Sequence, residues 1–303
     1  MRLVFAGTPD VAVPSLDALT ASSHEVVGVI TRPDAPAGRG RKLTPSPVAL
    51  RAAELGLPVL KPVHPRDPDF QAALRDLNPD VCPVVAYGSL VPESALEIPV
   101  HGWVNLHFSL LPRWRGAAPV QRAIMAGDST TGTTCFQLVR ELDAGAIHDV
   151  ETIPMPDETA GELLDRLAQS GAAQLVRVMD AIAAGATPTP QSEEGVTLAP
   201  KLSTDEAHVD FDDDAAAVRN HIMGCSPDPG AWAMLGEMRV KLYRARIADG
   251  IHAEPGELVV TKRQVFVGTG DGIGVELLEV QAPGKRRMNA IDWARGGVSG
   301  VLR

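Results

Sequence analysis

Asn105 and His107 stand two residues apart at the end of the apolar run Trp103–His107. On a strand, that spacing turns both side chains to one face. An amide donor beside an imidazole can hold a developing oxyanion and handle a proton. An ordinary polar strand end has the same composition. This pair is distinguished by its downstream neighbour SLLPRWRGAAP, a loop with two prolines, two arginines and a tryptophan ahead of a helix-like segment. Asp143, in ELDAG, is a third candidate. An Asp near a Gly suits a turn, whereas a carboxylate brought beside His107 would orient the imidazole and help move a proton.

A second group of residues could meet phosphate. Between 31 and 47 lie Arg32, Arg39, Arg41 and Lys42, with glycines at 38 and 40 and prolines at 33, 36, 45 and 47. Seventeen residues is long for a strand-to-helix connection, where ~2–6 is usual. The segment reads either as a surface excursion or as a lid that orders on a phosphate-bearing partner through its arginines. Farther on, Arg239, Lys241, Arg244 and Arg246 alternate with apolar residues, and Lys285, Arg286 and Arg287 form a triplet. These suit a charged outer face or a groove for RNA. GTGDGIG (268–274) matches a phosphate loop in letters, but no helix comes after it, so a hairpin turn is expected. AGTPD (6–10) is not a GxGxxG fingerprint, which weighs against a dinucleotide. The eight histidines include no HxxxH, and no metal site is expected.

The elements that must position these residues are set by periodicity. Strands are predicted at Leu3–Ala6, Val26–Ile30, Pro58–Leu60, Asp80–Ala86 and Trp103–His107. Helical spacing falls at Ser15–Ala21, Val48–Leu55, Pro68–Leu77 and Glu93–Leu96. The alternation predicts an α/β domain, an open and mostly parallel sheet with helices on both faces. In such sheets ligands bind at the carboxyl ends of the strands, where the Asn105–Pro112 segment lies. A helix at Ala117–Ala126, strands at Thr133–Leu138 and His148–Ile153 and a long helix at Ala160–Ala184 complete it. The stretch from Ala186 to Ser203, with Pro188, Pro190 and Pro200, reads as a linker. After a helix at Ala215–Met223, short strands separated by Gly-rich turns predict a small β-barrel.

Composition narrows the class. A chain of 303 residues has room for two domains at ~100–200 residues each. Its 45% hydrophobic content and mean hydropathy of +0.01 fit a soluble globular protein. The longest stretch without a charged side chain, Ile98–Pro112, has fifteen residues, short of the ~20 a spanning helix needs. MRLVFAG runs straight into a strand-like segment, so no secretory leader is expected. Cys82, Cys135 and Cys225 are far apart and odd in number, which fits a reducing cytoplasm rather than a disulfide framework. A net charge of −10 argues against indiscriminate coating of nucleic acid and leaves room for local basic patches.

Taken together, AGTPD, the RPDAPAGRGRKLTPSPV loop, NLHFSLLPRWRGAAPVQRAI, LDAG and APGKRRM make the chain resemble the methionyl-tRNA formyltransferase family. The likeness runs over essentially the whole sequence. SLLPRWRGAAP and the GRG loop are specific to that family, whereas N-x-H with a downstream Asp marks the wider folate-dependent formyltransferases. The resemblance implies a Rossmann-like catalytic domain over 1–187, a linker over 188–204 and an OB-like tRNA-binding domain over 205–303. It implies transfer of a formyl group from 10-formyltetrahydrofolate to the α-amino group of methionyl-initiator tRNA, for translation initiation. Asn105, His107 and Asp143 would be catalytic, and Ser109, Leu110, Leu111 and Pro112 would meet the folate. Arg32, Arg39, Arg41, Lys42, Lys285, Arg286 and Arg287 would meet the tRNA. A cytoplasmic monomer with no metal and no membrane attachment is expected. The rivals are a folate formyltransferase acting on a nucleotide or sugar amine, an RNA-binding protein on the same scaffold, and a nicotinamide-dependent oxidoreductase.

Overall fold

A computed structural model of the chain describes residues 1–37 and 42–303. It falls into two compact units. One comprises Met1–Gly116, Gly132–Ile153 and Leu164–Leu198; the other comprises Ala117–Thr131, Pro154–Leu163 and Ala199–Arg303.

The elements run, in chain order, β1 (Arg2–Gly7), α1 (Val13–Thr20), β2 (Glu25–Ile30), β3 (Ala35–Ala37), β4 (Lys42–Thr44), α2 (Pro47–Glu54) and β5 (Val59–Leu60). Then come α3 (Pro68–Asp76), β6 (Cys82–Val85), α4 (Glu93–Leu96), β7 (Trp103–His107), β8 (Arg115–Gly116) and α5 (Pro119–Met125). Next are β9 (Thr130–Gln137), β10 (Ile147–Pro154), α6 (Ala160–Ala183) and β11 (Leu198–Ala199). Seven of the strands form one sheet in the order β10-β9-β7-β6-β1-β2-β5. From β5 to β7 the pairs are parallel, and β9 joins β7 antiparallel. The expected mostly parallel sheet is therefore present, carrying an antiparallel extension.

Local chemistry explains these elements. Leu3, Val4, Phe5 and Ala6 of β1 are all fully buried, as a central parallel strand covered on both faces requires. At the start of α2 the Ser46 hydroxyl accepts the Ala49 N–H at 3.0 Å, and Pro47 takes the first helical position. Asp67 and Pro68 repeat that arrangement for α3. The chain runs from β1 outward to β5 and then returns on the other side of β1 to β6 and β7. The crevice at that reversal opens at the carboxyl ends of the strands. There the Thr8 hydroxyl donates to the Tyr87 carbonyl at 2.8 Å.

The described residues of 31–47 include two short strands. Ala35 pairs with Thr44, Pro36 with Leu43 and Ala37 with Lys42, so β3 and β4 make an antiparallel hairpin. Arg39 and Arg41 lie outside the described residues.

In the other unit, α7 (Ala215–Gly224) precedes β12 (Ala231–Leu235), β13 (Met238–Ala248), β14 (Leu258–Val260), β15 (Val265–Gly268), β16 (Gly274–Gln281), β17 (Met288–Asn289) and α8 (Ala290–Ala294). The strands form an antiparallel sheet in the order β12-β13-β16-β15-β14, with β17 beside β16. The last residues join its two edges: Leu302 bridges Leu235, and Val301 bridges Glu257. Gly256 permits this closure, because a Cβ there would occupy the place of the Leu302 carbonyl oxygen. Inside lie Val240, Leu242, Val265, Val267, Val275 and Val280, all fully buried. Gly268 pairs with Gly274, so GTGDGIG is the hairpin turn its context suggested.

Candidate active site

β7 carries the first two candidates. Asn105 lies between Val84 and Phe136, and His107 lies opposite Thr134. Alternation along the strand puts both side chains on one face. His107 is buried and Asn105 half-buried. The His107 ring meets the Phe136 ring edge-on, with centroids 6.2 Å apart. Its Nε2 lies 2.9 Å from the Trp114 carbonyl oxygen. A carbonyl only accepts, so in this orientation Nε2 carries the proton, and the neutral ring keeps its lone pair on Nδ1. That Nδ1 faces Asp143 Oδ2 at 3.9 Å. The gap exceeds a direct hydrogen bond but lies within reach of strong charge coupling. Burial holds His107 below its ordinary value of 6.5, against the upward pull of the Asp143 charge and the Trp114 carbonyl contact. At neutral pH the ring is therefore an uncharged base. Among the described residues, no hydrogen bond uses the Asn105 side chain, which leaves its amide available.

The 3.9 Å approach brings together two residues that are 36 positions apart in sequence. Asp143 sits with φ at +48° and Trp114 with φ at +63°. Left-handed backbone at a non-glycine residue costs roughly 1–3 kcal/mol and persists only where the surroundings impose it. The Asp143 carboxylate accepts the Gly116 N–H at 2.7 Å, and its carbonyl accepts from Gln191 Nε2 at 2.8 Å. Two residues on, a Cβ at Gly145 would overlap the Gln137 carbonyl oxygen, so the DAG turn needs its glycine. Trp114 is fixed in a similar way, its N–H donating to the Thr197 hydroxyl at 2.9 Å.

The Ser109–Pro112 loop is latched from β9. Thr134 Oγ1 donates to the Ser109 carbonyl at 2.7 Å and accepts the Leu111 N–H at 3.2 Å. The Ser109 hydroxyl donates to the Arg113 carbonyl at 2.7 Å, so it stabilises the loop itself. Ser109 and Leu111 are buried, whereas Leu110 and Pro112 are half-buried. Thr134, Gln191 and Thr197 were not singled out from sequence. Each acts on a segment distant along the chain, and no local pattern marks it.

The basic residues divide sharply. Arg32 donates to the Val63 carbonyl at 3.4 Å, and Lys42 is exposed on the hairpin. On the barrel, Arg239 lies over the Trp232 ring at 3.7 Å and Lys241 donates to the Pro229 carbonyl at 3.0 Å. Arg244 pairs with Glu162, and Arg246 with Glu276 at 2.7 Å. Arg287 pairs with Glu279 and lies over Tyr243 at 4.7 Å. Lys285 and Arg286 are exposed, and among the described residues neither side chain takes part in an ion pair. Among the described residues no group of three or more His, Cys, Asp or Glu could hold a metal ion, and no helix is long and apolar enough to cross a membrane.

The class these features define is an α/β group-transfer enzyme, with a neutral imidazole, a carboxylate and a free amide at one strand's carboxyl end suited to a carbonyl carbon. Comparison with known proteins specifies it further. The sequence profile of the formyl transferase family matches residues 1–179, and that of the formyl transferase C-terminal domain matches 201–297. A methionyl-tRNA formyltransferase of Thermobifida fusca is 58% identical over 299 residues, covering 98% of this chain and 96% of the relative. One of a Nocardioides species is 56% identical over 301 residues, covering 98% and 95%. A solved methionyl-tRNA formyltransferase from Clostridium thermocellum superposes with a TM-score of 0.60 at 16% identity, covering 82% of this chain and 95% of that one. The chain belongs to the formyl transferase family, in its methionyl-tRNA formyltransferase branch.

Proposed function

We propose that the chain moves the formyl group of 10-formyltetrahydrofolate onto the α-amino group of methionyl-initiator tRNA, so that translation can begin. The observation that carries this reading is identity above one half along nearly the full length of two methionyl-tRNA formyltransferases. The site geometry supplies the chemistry. The amine attacks the formyl carbon, a C–N bond forms, the bond to N10 of the folate breaks, and one proton passes from the incoming to the departing nitrogen. A free α-amine has a pKa near ~7.7–8.0, so neutral amine is present at physiological pH. Asn105 donates its amide N–H to the oxygen on which negative charge develops. His107, neutral at the outset, takes the amine's proton at Nδ1, where Asp143 faces it. The carboxylate stabilises the imidazolium until the proton is returned to the leaving nitrogen.

Ser109, Leu110, Leu111 and Pro112 receive the folate. Because the Ser109 hydroxyl is committed to Arg113, they do so through main-chain groups and the half-buried faces of Leu110 and Pro112. Arg32, Arg39, Arg41 and Lys42 of the sequence 31–47, with Lys285, Arg286 and Arg287 on the barrel, contact the tRNA phosphates. In this reading residues 1–187 perform the transfer, 188–204 connect, and 205–303 bind tRNA. The enzyme works as a cytoplasmic monomer.

Formyl transfer from 10-formyltetrahydrofolate to methionyl-initiator tRNA, methionyl-elongator tRNA and free methionine tests the reading. Strong preference for the initiator is expected. Turnover with no tRNA preference would assign the chemistry to a different amine, and tRNA binding with no turnover would leave a binding protein.

A further inference from the structure

We infer that Gln191 is a positioning residue for the reaction, holding Asp143 in the conformation that faces His107. The inference rests on the formyl-transfer reading above, in which Asp143 acts on His107. Gln191 lies in a polar, proline-flanked stretch, TPTPQSEEG, that shows no periodicity. Yet its amide is fully used at the site. Nε2 donates to the Asp143 carbonyl at 2.8 Å and to the Gly145 carbonyl at 2.7 Å, while Oε1 accepts from Arg115 Nη2 at 2.7 Å.

These bonds close a ring. Gly116, next to Arg115, donates its N–H to the Asp143 carboxylate at 2.7 Å, so Gln191 ties both ends of that contact together. On the other side of Arg115, the Trp114 carbonyl meets His107 Nε2 at 2.9 Å. The segment 114–116 thus touches the imidazole at one end and the carboxylate at the other, and Gln191 fastens it to the DAG turn. The turn needs such a fastening. Asp143 is at φ +48°, which a non-glycine residue leaves when its constraints are removed. Only a side-chain amide fits this position, because two carbonyls require donors and a guanidinium requires an acceptor.

The test replaces Gln191 and reads the chemistry, not only the fold. Gln191→Met keeps the length and removes all three bonds. Gln191→Glu keeps the Arg115 contact and removes the two donations. Both are expected to lower kcat roughly tenfold to a hundredfold with the KM for tRNA little changed, as small displacements of a reacting group do. In Gln191→Met the titration midpoint of the His107 ring, followed by NMR, should fall toward that of Asp143→Asn, because the carboxylate no longer faces it. The kcat loss should largely vanish when Gln191→Met is placed on Asp143→Asn; a residue that served the fold alone would multiply its loss onto the second variant. Wild-type kcat in Gln191→Glu together with an unmoved His107 midpoint in Gln191→Met would overturn the inference. If Asp143→Asn itself kept wild-type kcat, the failure would lie in the underlying reading of the site.

Discussion

The chemistry assigned to His107 depends on an opposition of two effects within one ring. Burial favours the neutral imidazole, while the Asp143 carboxylate favours the charged one, and burial prevails. The midpoint of the ring, followed by NMR against pH, is therefore expected below 6.5. Replacing Asp143 with Asn removes an upward pull and should lower the midpoint further. A midpoint at or above 6.5 would show that the carboxylate and not burial governs the ring, and one that rises in the variant would show that the carboxylate exerts no upward pull. Stability has the same sign. The folded state binds the proton less readily than the unfolded chain, so this contribution is complete above the ordinary value of 6.5 and is lost as pH falls below it. The pairing of Asn105 with His107 was legible because i and i+2 on a strand share a face. The positive φ of Trp114 was not, since a bulky aromatic does not announce one, whereas Asp143 beside its glycine suggested only a turn.

Among the elements, β7 carries the side chains proposed to react and β9 fixes the loop at its carboxyl end. Thr134 is fully buried and serves two main-chain groups of the Ser109–Pro112 loop at once. Thr134→Val preserves shape but leaves the Ser109 carbonyl and the Leu111 N–H without that partner. Unpaired buried groups cost about 1–3 kcal/mol, so denaturant unfolding should show a loss in that range and the KM for the folate should rise. An unchanged unfolding midpoint with an unchanged KM would mean that the loop holds itself. Most elements could be read in advance, because RLVFAG, EVVGVI and WVNLH are apolar runs bounded by turn residues. The β3–β4 hairpin could not, since APA and KLT, at three residues each, are too short to establish a period and their pairing exists only in three dimensions. Gln191 and Thr197 were hidden for a related reason. They reach partners 48 and 83 residues away, a separation that leaves no trace in local composition.

For the whole molecule, a net charge of −10 means that tRNA must be met by local positive patches. Much of the barrel's basic charge is already committed internally, as with Arg244 and Arg246. Lys285 and Arg286 are exposed without such pairing among the described residues. Replacing both with Ala should reduce the slope of log affinity for tRNA against log salt by about two, roughly one per phosphate contact. Arg246→Ala, which removes a side chain already paired with Glu276, should leave the slope unchanged. A slope equal to wild type in the double variant would place tRNA contact elsewhere on the protein. In the proposed reaction the Asn105 amide stabilises the developing oxyanion, separately from how the molecule holds tRNA. Single-turnover transfer by Asn105→Ala, with methionyl-initiator tRNA and 10-formyltetrahydrofolate both saturating, tests it most directly. A rate reduced by about 10²–10³ with unaltered tRNA affinity is expected, and a wild-type rate would contradict the account.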